Sequence, residues 1–509
     1  MTVNFGLRWE LLPPFVDKNG IQANFDPNYN GPGSNGQGAI IVNDILLNGL
    51  KPAPAFLASF NACGLAAVNP STCTPVVSNS QANLPAGLRQ TYLRNFDPSV
   101  SVAHRPFSDN KTVIRAGFGI FTVTALGQLQ NNNESNPQAV VNTWANNNNG
   151  TPIFTFPKVT PPGAGLQFGG GTLEQATDPH YRDAQTAQWN VTIERELTPN
   201  TSLRASYVGM NSYRLPVTVN LNQTKPSTTA YNPAAVPFPN WGVIYSTYNL
   251  GNQSYQALEL EASHKMARGL AYQANYTWAH NISDAQGDAQ TAFQGETRYG
   301  LADLNRFAIS ANRGNVVGTR RQRLLVTGTY ELPFGKGRQW LNSSPVVGGI
   351  LGGWNINTIT LLETGPYLTP TDSVSNDQTN TDPAAAGSIV RPDRVGNPIP
   401  AHRSPANYFD INAFAHTPTN AGRVGNAGVG ILEAPGTVAV SAGLAKVIAL
   451  REAWRLRFES TFTNVLNHTN YAPPATNISN SSSFGVLTAA QTAENAGNRT
   501  GQVALRLEF

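Results

Sequence analysis

The side chains with chemistry to offer are dispersed. Seven histidines, His104, His180, His264, His280, His402, His416 and His468, stand far apart, with no two at the spacing that gathers imidazoles around one metal ion. Solvated or lumen-facing positions suit each of them better. Asp372, Asp377 and Asp382 could hold Ca²⁺ through loop oxygens, but their stretch lacks the glycine and terminal glutamate of an EF-hand loop and reads as a solvated acidic loop. Gly117-Phe118-Gly119 lacks the third glycine of a dinucleotide site and lies inside a strand pattern, where it gives room for a close neighbour or a bend. There is no H-E-x-x-H, G-x-S-x-G or Walker pattern. The expectation is a protein that is not an enzyme, with no catalytic, cofactor-binding or metal-binding residues. Cys63 and Cys73 share one loop-like stretch, close enough to bridge, and a local disulfide is favoured over two free thiols, as fits an exported bacterial protein.

Composition says what must position these residues. Charged residues make up only 13% of the 509, while Gly and Pro number 46 and 36 and Asn, Thr and Ser crowd the stretches between apolar segments. That is an all-β profile with long polar loops. No run of about eighteen apolar residues occurs, so spanning by helices is excluded. A barrel escapes that test because lipid meets only every second residue, so a mean hydropathy of -0.27 is compatible with it. The net charge of +4 is small and scattered, which leaves no footprint for nucleic acid.

Period-two patterns recur along the whole chain. Val3, Phe5, Leu7 and Trp9 alternate with Asn4, Arg8 and Glu10; Leu456, Phe458 and Phe462 with Arg455, Arg457, Glu459 and Thr461; and Val503, Leu505, Leu507 and Phe509 with Gln502, Arg506 and Glu508. The same reading predicts about twelve strands, at 2–10, 96–105, 111–121, 187–196, 201–209, 255–264, 269–279, 321–332, 351–363, 437–446, 453–463 and 501–509. Most have about the 9 to 11 residues that a tilted strand needs to cross a bilayer.

Connections alternate in length. Tight turns are predicted at Pro106–Asn110, Leu197–Asn200, Lys265–Arg268 and around Leu450-Arg451-Glu452, with a connector of middle length from Pro333 to Ile350. Between them lie long polar loops with extreme tracts at Asn131–Asn133, Asn146–Asn149, Gly169–Gly171 and Thr371–Asp382, which need a rigid scaffold or remain mobile. Sorting of this kind is expected for an antiparallel transmembrane β-barrel with periplasmic turns and extracellular loops, both chain ends being periplasmic. Trp9, Trp189, Tyr207, Tyr276, Trp278, Tyr330 and Trp354 near strand ends fit interfacial girdles better than a sugar-stacking platform in the lumen. Val503, Leu505, Leu507 and the terminal Phe509 look like the signal by which barrel assembly machinery recognises its clients.

Several segments resemble the barrel of Oar-like TonB-dependent transporters: Phe5-Gly6-Leu7-Arg8-Trp9-Glu10 with Pro13-Pro14, Asn95-Phe96-Asp97-Pro98, Lys111 to Phe121, Gln188-Trp189-Asn190, Ala205-Ser206-Tyr207-Val208-Gly209, Tyr276-Thr277-Trp278, Glu331 to Gly337 and Gly352-Gly353-Trp354. The resemblance runs over nearly the whole of residues 1–509. It implies a barrel of about 22 strands of which this chain is the carboxy-terminal part, in the bacterial outer membrane, taking up a bulky solute. Met1 leads straight into a strand pattern, so the expectation is a fragment of a longer protein, with signal peptide, carboxypeptidase-regulatory-like domain, plug and TonB-contacting segment preceding it. The expected partners are outer-membrane lipid, the assembly machinery, an unidentified solute, and the TonB complex only through that preceding region. Two other readings remain open at this point: a structural or adhesive outer-membrane barrel without transport, and a secreted soluble β-protein that binds glycans.

Overall fold

The computed structural model describes residues 1–49, 51–66, 68–123, 176–239, 241, 244–285, 309–335, 337–341, 345–373, 378–381, 389–450, 454–492 and 496–509. Within them the alternating segments become strands, because a sheet gives the apolar and the polar half of each segment opposite sides. The principal strands are β1 Thr2–Glu10, β2 Asn95–His104, β3 Thr112–Val123, β4 Ala184–Thr198, β5 Thr201–Asn220, β6 Tyr245–Ala267, β7 Leu270–Ser283, β8 Gln322–Glu331, β9 Trp354–Glu363, β10 Thr437–Ala449, β11 Arg455–Thr463 and β12 Thr500–Glu508. They pair in chain order, every neighbour antiparallel, as an up-and-down meander. Each span read from the sequence meets one of these strands. Among the described residues no pairing joins β1 to β12, so they form an open sheet with two unpaired edges and do not by themselves close a barrel.

Register decides which side each residue occupies, since directly opposed residues of antiparallel neighbours share a face. Phe5, Val100, Phe118, Trp189 and Gly209 are linked in one row across β1 to β5. Tyr207, Leu258 and Trp278 stand on the same side, as do Tyr276, Leu324, Leu362 and Val438. The row ends with Phe458 and Leu505, Leu456 and Leu507. The opposite side carries Arg115, Glu194, Arg204, Glu261, Asn275, Arg323, Glu363, Glu459 and Arg506. A cavity of about 320 Å³ is lined by Asn4, Gly6, Ser99, Ser101, Gln188 and Asn190 of this polar side, with Phe5, Val100 and Phe118 of the apolar row at its margin. In a barrel wall the polar side is the inner, concave one. On the apolar side two large rings lie over glycine. A Cβ on Gly209 would fall 2.2 Å from the Trp189 ring, and one on Gly501 would fall 2.3 Å from the Phe462 ring.

Two findings extend the sequence reading. β5 and β6 contain 20 and 23 residues, about twice what a bilayer crossing requires, so their distal halves stand beyond the apolar band. Their neighbouring turn is Arg268-Gly269, two residues after the centre of the predicted one; both have positive φ, 51° and 82°, as the hairpin twist demands. Arg451 and Glu452, and the asparagine and glycine tracts at 131–133, 146–149 and 169–171, lie outside the described residues.

The first long connection folds into a small unit at the far end of this hairpin. Ala23–Asp26, Ala39–Val42 and Val76–Ser78 form a three-stranded sheet, accompanied by helices α1 Asp44–Asn48 and α2 Pro54–Ala58. Its core joins Phe25, Ile40, Val42, Leu46, Phe56 and Phe60 to Val217, Val219, Leu221, Phe238 and Ile244 of the β5–β6 hairpin and its tip. Segments too irregular to order themselves are thus ordered by burial against a rigid support.

Candidate functional site

The concave face of the wall carries paired charges. Arg204 opposes Glu261 in register and pairs with it, Arg115 lies diagonally across from Glu194 at 2.8 Å, and Arg457 lies 2.5 Å from Glu459 of its own strand. Glu363 is fully buried beside Arg320 Nε at 3.1 Å and Arg323 Nε at 3.8 Å, close enough for ion pairing though not aligned for hydrogen bonds. A second cavity, about 550 Å³, runs along β6 to β11 and includes Gln273, Thr327, Asn357, Ser441, Glu459 and Thr461 in its lining. A wall of this kind suits water or a hydrogen-bonding occupant. The opposite face suits hydrocarbon, and all seven aromatics expected at strand ends fall on it: Trp9, Trp189 and Trp278 towards the long-loop end and Tyr330 and Trp354 at the short-turn end, whereas Tyr207 and Tyr276 lie in mid-strand and not at an end.

At the mouth, the outer connections form a cap in two parts. One is the unit around Phe25. The other, drawn from the β9–β10 and β11–β12 connections, packs Phe409, Phe414, Leu432, Ile478 and Phe484 together. The parts meet where Thr224 N–H donates to Thr381 O at 3.2 Å, Ser227 N–H to Thr379 O at 3.0 Å, and Asn380 Nδ2 to Ser227 O at 2.8 Å. A cavity of about 470 Å³ at this seam is lined by Gln223, Thr224, Lys225, Ser227, Asn232 and Asn380. Such a lining suits a hydrogen-bonding occupant, and among the described residues Lys225 is its one charge.

Sequence reasoning did not find a polar cluster between the cap and the wall. Asp183, fully buried, accepts a hydrogen bond from Asn95 Nδ2 at 2.7 Å. Burial pushes its carboxyl above the usual range, against the pull of Asn95, Arg89 and Arg214. Arg89, itself lowered by burial, lies 5.3 Å over the Tyr181 ring, and Arg214, at φ 61°, stacks 5.2 Å from Tyr92. Asp97 accepts from Thr122 Oγ1 at 2.9 Å and from Gln185 Nε2 at 3.2 Å. No motif announces this cluster because its members are contributed by four separate segments. In the other half of the cap, Arg423 grips Asp393 with two bonds of 2.7 and 2.8 Å and holds its carboxyl low.

The other residues singled out by sequence take ordinary places. Cys63 and Cys73 are bonded in the structure, with Cα atoms 4.8 Å apart. Asp372 is buried and tied to Ser479 Oγ and, at 2.9 Å, to His416 Nδ1; Asp377 and Asp382 lie outside the described residues. His264 bonds Thr201 and His468 bonds Asn470. Among the described residues no group of three or more His, Cys, Asp or Glu side chains converges. Gly119 leaves room for the Phe121 ring, 3.1 Å from where its Cβ would sit. Val503, Leu505 and Leu507 are exposed on one side of β12, and Phe509, just beyond its end, is exposed with its ring 5.8 Å from that of Trp454 and tilted to it by 36°.

An all-antiparallel meander with one apolar and one polar face, loop-capped at one end, defines the class of outer-membrane β-barrel proteins. Residues 1–502 match the family model described as outer membrane beta barrel domain, and the chain belongs to that family, which places it in the bacterial outer membrane. A search of curated proteins gave no match. Among solved structures the chain is similar to the outer membrane transporter YddB from Escherichia coli, at 9% identity and a TM-score of 0.42 over 83% of this chain and 41% of that one. It is also similar to the siderophore receptor PiuA from Acinetobacter baumannii (9%, TM-score 0.37, 82% and 36%) and to the FrpB iron transporter from Neisseria meningitidis (10%, TM-score 0.36, 82% and 39%). The chain thus spans about two fifths of the length of these structures.

Proposed function

We propose that the chain is the wall and outer cap of an Oar-like TonB-dependent transporter that takes up a bulky solute. The observation that carries this reading is the division of labour within one sheet: hydrocarbon-compatible side chains on the convex face, ion-paired charges on the concave face, and an ordered cap with a polar seam cavity above them. Unpaired edges in lipid cost several kcal/mol per backbone group, so β1 and β12 require neighbours. We assign these to preceding strands of a 22-stranded barrel, together with a plug and a TonB-contacting segment. The exposed stripe Val503, Leu505, Leu507 and Phe509 is the part the assembly machinery would read.

The test uses the complete protein encoded at this locus, reconstituted in planar bilayers. A plugged barrel conducts little and opens stepwise when the plug is removed. A large constant conductance from the intact protein, or a gene with no plug upstream, overturns the transporter reading in favour of a structural or adhesive barrel. Removing residues 501–509 should abolish heat-modifiable barrel in the membrane fraction.

A further inference from the structure

The connection from β8 to β9 ends in a short helix, α3 Pro345–Leu351, directly before Trp354 opens β9. Trp354 is opposed in register by Lys446 of β10, and Lys446 by Phe458 of β11. All three therefore lie on the apolar face, an unfavourable place for an ammonium group facing lipid. Yet Lys446 is buried, and α3 is what buries it: its Nζ donates to Ile350 O at 2.7 Å and to Gly349 O, and lies 5.2 Å over the Trp354 ring. Trp354 Nε1 donates to the same Ile350 carbonyl at 3.0 Å. Two otherwise costly features satisfy each other. The last carbonyls of a seven-residue helix receive a cation, which that end favours, and the cation receives acceptors away from water.

This contact fixes α3 on the outside of the wall, at the short-turn end, where the apolar band stops. Among its described side chains Val346 is 71% exposed and Ile350 63%, and Trp340 and Leu341 of the same connection are exposed as well. A helix this short does not persist in water by itself, and its apolar side continues a surface already committed to lipid. We propose that α3, with Trp340 and Leu341, beds in the boundary between headgroups and acyl chains of the periplasmic leaflet, with phospholipid as its occupant, and that Lys446 is the peg that holds it there. This rests on the outer-membrane location and on the short turns being periplasmic, and is independent of transport.

The test is a fluorescent label on Val346→Cys, attached with the native disulfide intact, in the complete protein in vesicles of phosphatidylethanolamine and phosphatidylglycerol. The label should emit to the blue and be quenched several-fold more by phospholipid spin-labelled near the top of its acyl chain than by aqueous iodide; a label on Asn19→Cys in the cap should behave oppositely. Lys446→Met should make the Val346 label severalfold more accessible to iodide while the barrel remains heat-modifiable. Iodide access at Val346 equal to that at Asn19 overturns the lipid assignment. Protection from both quenchers overturns it too, since a protein would then cover the helix. An unchanged label in Lys446→Met overturns the peg.

Discussion

The wall and the cap bury apolar side chains by opposite strategies. In the wall, Leu260, Val503 and Leu505 are 41%, 63% and 66% exposed, and their partner is the membrane. In the cap, Phe25, Phe56 and Phe60 are fully buried, with Phe25 set edge-on to Phe238 at 5.1 Å and Phe60 stacked on Trp241 at 5.2 Å. The wall is inside out with respect to lipid; the cap is a small water-soluble protein grown on a hairpin. One chain therefore answers to two solvents, and substitutions should sort by region instead of by hydrophobicity.

The largest effect is expected in the cap. Phe25→Ala removes a fully buried ring from a packed core and should cost the cap about 3 to 5 kcal/mol. Limited proteolysis should then cut within 11–94 while the wall keeps its heat-modifiable mobility; a wall that melts with the cap would erase the distinction between them. Next comes Leu260→Arg, on the lipid face between Ala205 and Tyr276, which should destabilise the barrel in bilayers by roughly 2 to 4 kcal/mol. Asn275→Arg, opposed to Glu261 on the concave face, should be nearly neutral in the same urea titration. Equal costs for the two would mean that the faces are wrongly assigned. Breaking the link between Cys63 and Cys73 with Cys63→Ser/Cys73→Ser closes no loop in the unfolded cap and should lower its stability by about 2 kcal/mol, with unfolding of the wall unchanged. In the unmodified protein, thiol reagents should find no reactive cysteine without reductant.

The wall was legible in the sequence because alternation is local: Val3, Phe5, Leu7 and Trp9 state their face without reference to anything distant. Polar Asn211, Ser212 and Arg214 hid the continuation of β5, since beyond them Val217, Val219 and Leu221 turn to the cap and not to lipid. The cap core unites residues 23 to 62 with residues 217 to 244, a pairing that no window along the chain contains. The same distance hid the cluster of Arg89, Asn95, Asp183 and Arg214, whose meaning arises only when the first loop returns beside the start of β4. Lys446 was hidden differently, for an alternating strand gives no sign that a helix from the preceding connection will cover one of its cations.

The smallest expected effect separates the two halves of the cap by pH. Asp183 binds its proton more tightly in the folded cap than in the unfolded chain, because burial raises its pKa. Its contribution is therefore fully present below the unfolded value, near pH 4, and is lost as pH rises through the folded one. Asp393 has the opposite sign: Arg423 lowers its pKa, so its contribution is present above about pH 4 and is lost as pH falls through the folded value. Hydrogen exchange followed peptide by peptide should show the junction of 89–95 with 178–184 tightening under mild acid, and the segment 391–427 loosening at the acid end. Asp183→Asn should flatten the first response and leave the second, whereas Asp393→Asn should do the reverse. If both regions loosen together in acid, the cap answers to its net charge and not to these two carboxyls.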